Sequence, residues 1–331
     1  MDETSTVGII GSGSWATAIA KMLLNNVPSV NWYFRNPDHI DQFKKQKHNP
    51  NYLTGVEFNT DCINFSSNIN EIASNSDILV FAIPSAFLKD VLDLLEEPVN
   101  DKFIVSAIKG LVPEETLIIG SYFNKFFNVP SDSIGVISGP CHAEEVALER
   151  LSYLTIACQD IKKGRLFSSF LNCSYIKTCI SDDIYGTEYS AVLKNVMAIA
   201  SGICHGLGYG DNFQAVLISN AIQEIKRFVD TVHPIARDIK SSAYLGDLLV
   251  TCYSQFSRNR TFGTMLGKGY SVKSAQLEML MIAEGYYAVK SIKQINDKYK
   301  VNMPITEAVY NIIYERISPA IEIRLLTEQL R

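Results

Sequence analysis

The sequence predicts an α/β protein, with a doubly wound sheet in its amino-terminal half and an all-α domain in its carboxyl-terminal half. Up to about Ile180, short apolar runs alternate with segments of helical length, whereas only helical patterns follow Ser181. Runs that are apolar throughout are typical of parallel strands covered by helices on both faces. We therefore expect a first domain over residues 1–182 and a second over residues 183–331.

Six apolar runs predict the strands of the first domain. In chain order they are TVGII, VNWYF, DILVFAI, KFIVSAI, IGVIS and YLTIA. Intervening segments such as SWATAIAKMLLNN and SAFLKDVLDLLEE have the length of crossover helices, which connect parallel neighbours. In the second half, the helical patterns are interrupted by GLGYGDN, GKGYS and NMPIT.

Composition limits the class of protein. The formal net charge of −5 argues against nucleic acid as the main partner, because phosphate backbones require clustered positive charge. The seven cysteines include no C-x-x-C pair and no histidines at metal-ligand spacing, so neither a disulfide framework nor a metal site is predicted. We expect a cytoplasmic protein, since the amino terminus lacks the pattern of a signal peptide and no apolar run is long enough for a membrane anchor.

A glycine-rich turn follows the first predicted strand. Gly11, Gly13 and Ala16 form the pattern G-x-G-x-x-A between that strand and a helix. The first glycine permits a tight turn, the second lets a pyrophosphate approach the backbone, and the small third residue allows the helix to pack closely on the strand. This placement indicates a Rossmann-like dinucleotide-binding domain.

The end of the second predicted strand bears on the choice of dinucleotide. An acidic residue usually accepts hydrogen bonds from the adenine ribose there, but this chain has Arg35 and no acid before Asp38. Because an arginine attracts a 2′-phosphate, the sequence favours NADP(H). The alternative is that Arg35 is an ordinary charged residue and that both NADP(H) and NAD(H) bind.

Lys194 lies in a stretch, YSAVLKNVMAIASGI, that is otherwise mostly small and apolar. Either its side chain extends from a buried helix to solvent, or it is buried to transfer a proton, since desolvation lowers the pKa of a lysine. A buried lysine requires a carboxylate nearby. Asp247 is one candidate, in a segment where it and Thr251 would share one helix face.

Three further segments carry candidate ligand contacts. Ser257, Arg258 and Asn259 supply one cation and two neutral hydrogen-bonding groups, a set that suits a phosphate and a neighbouring hydroxyl, although a surface turn would also explain them. Lys109 follows the fourth predicted strand, and Gly139 follows the fifth. Since ligands of doubly wound sheets gather at the carboxyl ends of strands, both are candidate contacts.

Ten segments resemble, in this order, the NAD(P)-dependent glycerol-3-phosphate dehydrogenases of the bacterial type: GSGSWATAIA, AIPS, AIKGL, ISGPCHAEE, LKNVMAIASGI, GYGDN, LGDLLVTC, SRNRTFG, AEGY and MPITEAVY. The resemblance covers nearly the whole chain. It implies reversible hydride transfer, without a metal, between the nicotinamide of NADP(H) or NAD(H) and C2 of dihydroxyacetone phosphate or sn-glycerol 3-phosphate. It also implies a cytoplasmic oxidoreductase that supplies glycerol phosphate for phospholipid synthesis. Its partner would be this small molecule, and a homodimer is one open alternative for its assembly.

The resemblance also assigns roles to residues of this chain. Lys194 matches the general acid and base, Asp247 matches the residue that holds it, and Lys109 matches a lysine that contacts both substrate and cofactor. The further substrate contacts that it implies are Gly139, Cys141, Ser257, Arg258 and Asn259. The implied cofactor contacts are Gly11, Gly13, Ser14, Trp15, Arg35, Lys109, Ala143, Arg258, Ile282 and Glu284.

Several residues depart from the pattern of that family. Cys141 and His142 replace a hydroxyl residue and a phenylalanine, and a thiol is a weak hydrogen-bond partner. The other departures are His205, Asn220, Ala221 and Tyr244. Two alternatives stay open. One is another dehydrogenase with a Rossmann half and a helical half that acts on a β-hydroxyacid, and the other is a non-catalytic dinucleotide sensor that retains the fold.

Overall fold

The computed structural model describes residues 1–279 and 283–331, which form two compact units. The first unit comprises Met1–Ile108 and Ile119–Ile184, and the second comprises Lys109–Ile118 and Tyr185–Arg331. The short segment 109–118 thus belongs to the second unit, although the residues on both sides of it in the sequence belong to the first.

A single sheet forms the centre of the first unit. Its strands are β1 (Val7–Ile10), β2 (Val30–Tyr33), β3 (Ile63–Ser66), β4 (Ile78–Phe81), β5 (Phe103–Ser106), β6 (Ile134–Ser138), β7 (Ser152–Cys158) and β8 (Ile176–Ser181). Their spatial order is β3-β2-β1-β4-β5-β6-β7-β8, and six of the seven neighbouring pairs are parallel. The chain therefore winds outward from β1 in both directions, which confirms the predicted α/β class.

The prediction that all strands are parallel is wrong for one neighbouring pair. β6 and β7 are antiparallel, with Ser138 opposite Thr155. The helix between them, Ala143–Ala147, has only five residues, whereas a parallel connection normally carries a full crossover helix.

Helices lie on both faces of the sheet. The helices of the first unit are α1 (Ser14–Leu23), α2 (Pro37–Gln46), α3 (Ile69–Ser74), α4 (Leu88–Leu92), α5 (Ile119–Phe127), α6 (Ala143–Ala147) and α7 (Ile161–Leu171). On β1, Val7 and Ile9 share an apolar core with Ile19 of α1. Gly8 points to the opposite face, where a Cβ would lie 3.1 Å from the side chain of Ile72 on α3.

The second unit is helical, as predicted. It contains most of α8 (Ile184–Gly206), then α9 (Asp211–Val232), α10 (Asp247–Tyr253), α11 (Arg258–Gly267), α12 (Val272–Glu278), α13 (Glu284–Tyr299), α14 (Pro304–Ile313) and α15 (Pro319–Thr327). A π-helical segment, Ser242–Gly246, leads directly into α10. Among the described residues, no strand follows Ser181, and no helix is both long and apolar enough to cross a membrane.

Glycines allow α8 and α11 to approach each other closely. A Cβ on Gly263 would lie 2.1 Å from the carbonyl oxygen of Ile199, and one on Gly267 would lie 2.3 Å from that of Ile203. From the first contact to the second, the residue number increases by four on both helices, so the two helices run parallel. The start of α11 consequently lies at the level of Asn195, one residue after Lys194.

Glu224 of α9 caps the start of α14. Its carboxylate is fully buried and accepts hydrogen bonds from the backbone nitrogens of Ile305 and Thr306, both at 2.9 Å, and from the Thr306 hydroxyl at 2.7 Å. The residue that precedes α14, Met303, provides no side-chain cap. A carboxylate from a different helix thus satisfies backbone donors that would otherwise be buried without acceptors.

We expect Glu224→Gln to lower the free energy of unfolding by about 1–3 kcal/mol at pH 5, because the amide nitrogen would face a buried N–H group. Burial raises the pKa of Glu224 to about 7, above its unfolded value of 4.5. Protonated Glu224 therefore stabilises the folded wild type fully below the unfolded pKa, and this stabilisation is lost as the pH rises through about 7. The difference in unfolding free energy between wild type and Glu224→Gln should consequently be smaller at pH 8. Urea unfolding at both pH values measures the difference.

The control for this change is Glu307→Gln, on an exposed side chain of the capped helix α14 that pairs with Lys293. Its effect on the free energy of unfolding should stay within about 0.5 kcal/mol. Equal losses in the two variants would contradict the capping role of Glu224.

Candidate functional site

Gly11 and Gly13 form the turn between β1 and α1. Gly11 has a φ of +124°, and a Cβ there would lie 2.4 Å from the carbonyl oxygen of Ala82. Gly13 is the N-cap residue of α1, which has no side-chain cap, and a Cβ on Gly13 would meet no described atom within 4 Å. The fold therefore requires the first glycine, and the second leaves open space at the start of the helix. A dinucleotide pyrophosphate fits this cradle, because uncapped N–H groups at a helix start attract an anion.

The other predicted cofactor contacts of the first unit lie at the starts of helices or just beyond a strand. Ser14 and Trp15 begin α1 and are partly exposed. Arg35 is exposed, two residues beyond β2, and directly precedes Asn36, whose side chain caps α2. Ala143 is buried and begins α6. Arg35 is thus at the end of the second strand, as the sequence predicts.

Two predicted substrate contacts follow β6. Gly139 has a φ of +115°, and a Cβ there would lie 2.8 Å from the carbonyl oxygen of Tyr153 on β7. This glycine is therefore required by the close packing of the two antiparallel strands. Cys141 lies two residues further on and is buried.

Lys194 and Asp247 form a buried ion pair in the second unit. Lys194 on α8 is only 3% exposed, and Asp247, the first residue of α10, is 1% exposed. The side chain of Lys194 therefore does not extend to solvent, and that alternative is wrong. Thr251, one turn along α10, donates to the carbonyl oxygen of Asp247 at 2.6 Å, and its hydroxyl lies 3.5 Å from Asp247 Oδ1.

Burial dominates the protonation equilibrium of Lys194. It lowers the pKa of the ammonium group from 10.5 to about 7, although the neighbouring Asp247 carboxylate raises it. The positive charge of Lys109 lowers this pKa further. Near neutral pH, this lysine can therefore both donate and accept a proton.

A hydrogen bond to its backbone carbonyl holds Lys109 near the pair of Lys194 and Asp247. This lysine lies in the segment 109–118 of the second unit and is half-buried. Its carbonyl oxygen accepts a hydrogen bond of 2.9 Å from the side-chain amide of Asn195. Asn195 was not predicted from the sequence, in which its one distinguishing feature is its position next to Lys194.

The segment Ser257–Asn259 begins α11 and is not a simple surface turn. Ser257 is the N-cap residue, and its hydroxyl accepts from the backbone nitrogen of Arg260 at 3.3 Å. Asn259 is buried, and its Oδ1 accepts from the backbone nitrogen of Gly285 at 2.9 Å. Arg258 is exposed between them. The cluster thus combines a fixed polar framework with one exposed cation.

Glu284, the remaining described cofactor candidate, begins α13 beside Gly285, whereas Ile282 lies outside the described residues. Among the departures, Asn220 exchanges hydrogen bonds with the backbone of Arg331, donating at 2.8 Å and accepting at 3.2 Å. Tyr244 is buried in the π-helical segment that leads to Asp247. Neither residue interrupts the ion pair of Lys194 with Asp247.

Comparison with known proteins assigns the chain to a family. A model described as the N-terminus of NAD-dependent glycerol-3-phosphate dehydrogenase matches residues 6–163, and the corresponding C-terminal model matches residues 183–324. The glycerol-3-phosphate dehydrogenase [NAD(P)+] of Staphylococcus carnosus is 31% identical over 97% of both chains. That of Bacillus subtilis is 34% identical over 96% of this chain and 92% of its own.

Solved structures agree with this result. A crystal structure of glycerol-3-phosphate dehydrogenase from Coxiella burnetii has a TM-score of 0.90 and 27% identity, covering 98% of this chain and 99% of that one. With both halves of the family matched and the fold shared over nearly the whole length, the chain belongs to the NAD-dependent glycerol-3-phosphate dehydrogenase family.

Proposed function

We propose that the protein is an NAD(P)-dependent glycerol-3-phosphate dehydrogenase that interconverts dihydroxyacetone phosphate and sn-glycerol 3-phosphate. The observation that carries this proposal is the buried pair of Lys194 and Asp247 in a chain of this family. A lysine with a pKa of about 7 is present in both protonation states at neutral pH. A group that donates a proton in one direction of a reaction and accepts it in the other needs this property.

Lys194 acts on the oxygen at C2 of the substrate. During reduction, its ammonium group donates a proton to this oxygen as the carbonyl becomes a hydroxyl. During oxidation, its neutral amine takes the proton back. Because Lys194 is buried, its charge also strongly stabilises the negative charge that develops on the oxygen. Asp247 orients the ammonium group and raises its pKa against the effect of burial.

The phosphate of the substrate is bound by cations and neutral donors of the second unit. Arg258 offers a planar group that can contact two phosphate oxygens, and Lys109 offers a second charge. Ser257 and Asn259, on either side of Arg258, provide neutral polar contacts. Gly139 and Cys141 are further proposed contacts, of which the thiol is the weakest hydrogen-bond partner.

The cofactor is bound first of all by the glycine turn. Gly13 leaves space for the pyrophosphate, and the backbone N–H groups that begin α1 attract it. When bound, the reduced nicotinamide supplies the hydride that is added to C2. The further proposed contacts are Ser14, Trp15, Arg35, Lys109, Ala143, Arg258, Ile282 and Glu284.

Arg35 gives the cofactor site a preference for NADP(H). In Arg35→Ala, the ratio of kcat/KM with NADPH to that with NADH should fall about 10- to 100-fold, because a charged hydrogen bond to the 2′-phosphate is lost. Initial rates with both cofactors measure this ratio. Lys45→Ala, on the exposed last turn of α2, is the matched loss of a positive charge and should leave the ratio unchanged. An unchanged ratio in Arg35→Ala would remove Arg35 from the cofactor site.

We also propose a cytoplasmic enzyme that supplies glycerol phosphate for phospholipid synthesis. All seven cysteines are free, which supports a reducing compartment. Assignment to the family argues against both alternatives, a β-hydroxyacid dehydrogenase and a sensor without catalysis.

The proposal is tested by substrate choice. We would follow reduced-nicotinamide absorbance with dihydroxyacetone phosphate, with dihydroxyacetone and with acetoacetate, using NADPH and NADH. Efficient turnover with dihydroxyacetone phosphate, and poor turnover with the unphosphorylated compound, is the expected result. Turnover of acetoacetate alone would favour the β-hydroxyacid alternative. Cofactor binding without turnover of any of the three would favour the sensor.

A further inference from the structure

The carbonyl oxygens of the glycine turn are held by side chains buried beneath it. The oxygen of Gly11 accepts from the indole nitrogen of Trp32 at 2.7 Å, and that of Ser12 accepts from the side-chain amide of Asn49 at 2.9 Å. The oxygen of Gly13 accepts from both the backbone nitrogen of Thr17 at 3.0 Å and its hydroxyl at 2.9 Å. Hydrogen bonds from within the protein therefore fix the orientation of three successive peptide groups.

Asn49 is central to this arrangement. It is 1% exposed although it lies in the connection between α2 and β3. Besides the oxygen of Ser12, its Nδ2 contacts the hydroxyl of Thr17 at 2.8 Å. Since the Thr17 hydroxyl accepts from Asn49, it is directed to donate to Gly13. One amide group thus holds the second carbonyl directly and the third through Thr17.

The orientation of the Asn49 amide is fixed by its own turn. Its Oδ1 accepts from the backbone nitrogens of Asn51 at 3.0 Å and Tyr52 at 3.2 Å. Rotating the amide by half a turn would place its NH₂ group against these two N–H groups. It would also place the Oδ1 against the carbonyl of Ser12. Every polar atom of this side chain is therefore used, and in only one orientation.

Fixing the carbonyls also fixes the N–H groups of the turn. The chain has no cis peptide bond among its described residues, and in a planar trans peptide the C=O and the following N–H point in opposite directions. When the oxygens of Gly11, Ser12 and Gly13 point into the protein, the nitrogens of Ser12, Gly13 and Ser14 point away from it. These N–H groups are then available to an anion at the start of α1.

We infer that Asn49 is a positioning residue, which preorganises the glycine turn for the pyrophosphate of the dinucleotide through Ser12 and Thr17. The inference rests on the proposed cofactor and assigns no contact between Asn49 and the ligand. Without the amide, the peptide that joins Ser12 to Gly13 can rotate. Part of the binding free energy is then spent on restoring its orientation.

The test uses Asn49→Asp, which keeps the acceptor for Asn51 and Tyr52 but removes both donors. The control, Asn51→Asp, introduces the same charge into the same loop at an exposed side chain. Isothermal titration calorimetry measures Kd for NADPH and for ADP-ribose, which contains the pyrophosphate but no nicotinamide. We expect both Kd values to rise about tenfold or more in Asn49→Asp and to stay within about twofold of wild type in the control.

Two further measurements separate positioning from a general loss of structure. At saturating NADPH, kcat and the KM for dihydroxyacetone phosphate should stay near wild type in Asn49→Asp. Thr17→Val, which removes only the relay to Gly13, should raise both Kd values less, and it supplies the result if Asn49→Asp does not fold. Wild-type Kd values in the folded variants would overturn the inference while the proposed function stands. A wild-type protein that binds neither ligand would overturn both.

Discussion

Replacing Lys194 by alanine should lower kcat for the reduction of dihydroxyacetone phosphate by about 10²- to 10⁴-fold, the range for loss of a general acid. The group that protonates C2 oxygen is lost, together with a buried positive charge that stabilises the developing oxyanion. The Kd for NADPH should stay near wild type, because the glycine turn is intact. Steady-state rates and fluorescence titration with NADPH measure the two quantities.

The controls for this variant must account for the negative charge of Asp247, which loses its partner. Lys194→Ala leaves the Asp247 carboxylate buried without its partner, which is itself destabilising. The double variant Lys194→Met with Asp247→Asn is neutral at both positions and should be equally inactive but more stable. Lys293→Ala removes a lysine from an exposed ion pair in the same unit and should keep full activity. Turnover in Lys194→Ala within about threefold of wild type would exclude Lys194 as the proton donor.

Asp247→Asn should have the second largest effect, and its effect should depend on pH. The carboxylate raises the pKa of Lys194, so its removal lowers this pKa below that of the wild type. At pH 7 less of the lysine is then protonated, and reductive turnover should fall by about tenfold or more. Turnover should recover partly as the pH is lowered, because the remaining lysine becomes protonated again.

The pH profile distinguishes this explanation from simple misfolding. A misfolded active site would lower the rate at every pH without moving the midpoint, whereas loss of the carboxylate moves the midpoint to lower pH. Glu307→Gln, which neutralises an exposed carboxylate in the same unit, should leave the midpoint in place. A midpoint in Asp247→Asn at or above that of wild type would show that Asp247 does not tune Lys194.

The buried strands and the glycine turn were predictable because packing restricts their residues. The six predicted apolar runs correspond to β1, β2, β4, β5, β6 and β7, of which all but β7 are buried at every position. The strands at the two edges of the sheet were not predicted. β8 alternates between buried Ile176 and exposed Lys177, and β3 has an exposed Asn64, so neither has a continuous apolar pattern.

The direction of β7 could not be obtained from composition. Its apolar residues are compatible with either direction, and the short α6 has too few residues to form a recognisable pattern. The direction of β7 depends on how the connection from β6 crosses the sheet and on where the two ends of that connection are held. Only the three-dimensional structure shows this.

That Lys194 pairs with a carboxylate was predictable from energetics, because a lysine buried in an apolar helix needs a counter-charge. Asp247 was a candidate, and the structure shows that it is the partner. Asn49 was not predictable in this way. An asparagine in a polar loop has many uses, and its importance depends on hydrogen bonds to the main chain of a distant turn.

The most direct test of Lys194 as general acid and base is the pH dependence of kcat/KM in both directions for the wild-type enzyme, from about pH 5.5 to about pH 9, because kcat/KM reports groups of the enzyme without substrate. Reduction needs the protonated form of Lys194 and oxidation needs the neutral form. We therefore expect kcat/KM for reduction to fall and kcat/KM for oxidation to rise as the pH increases, with both midpoints near 7. A reductive rate that stays constant up to pH 9, or profiles that change in the same direction, would contradict the assignment of Lys194 as general acid and base.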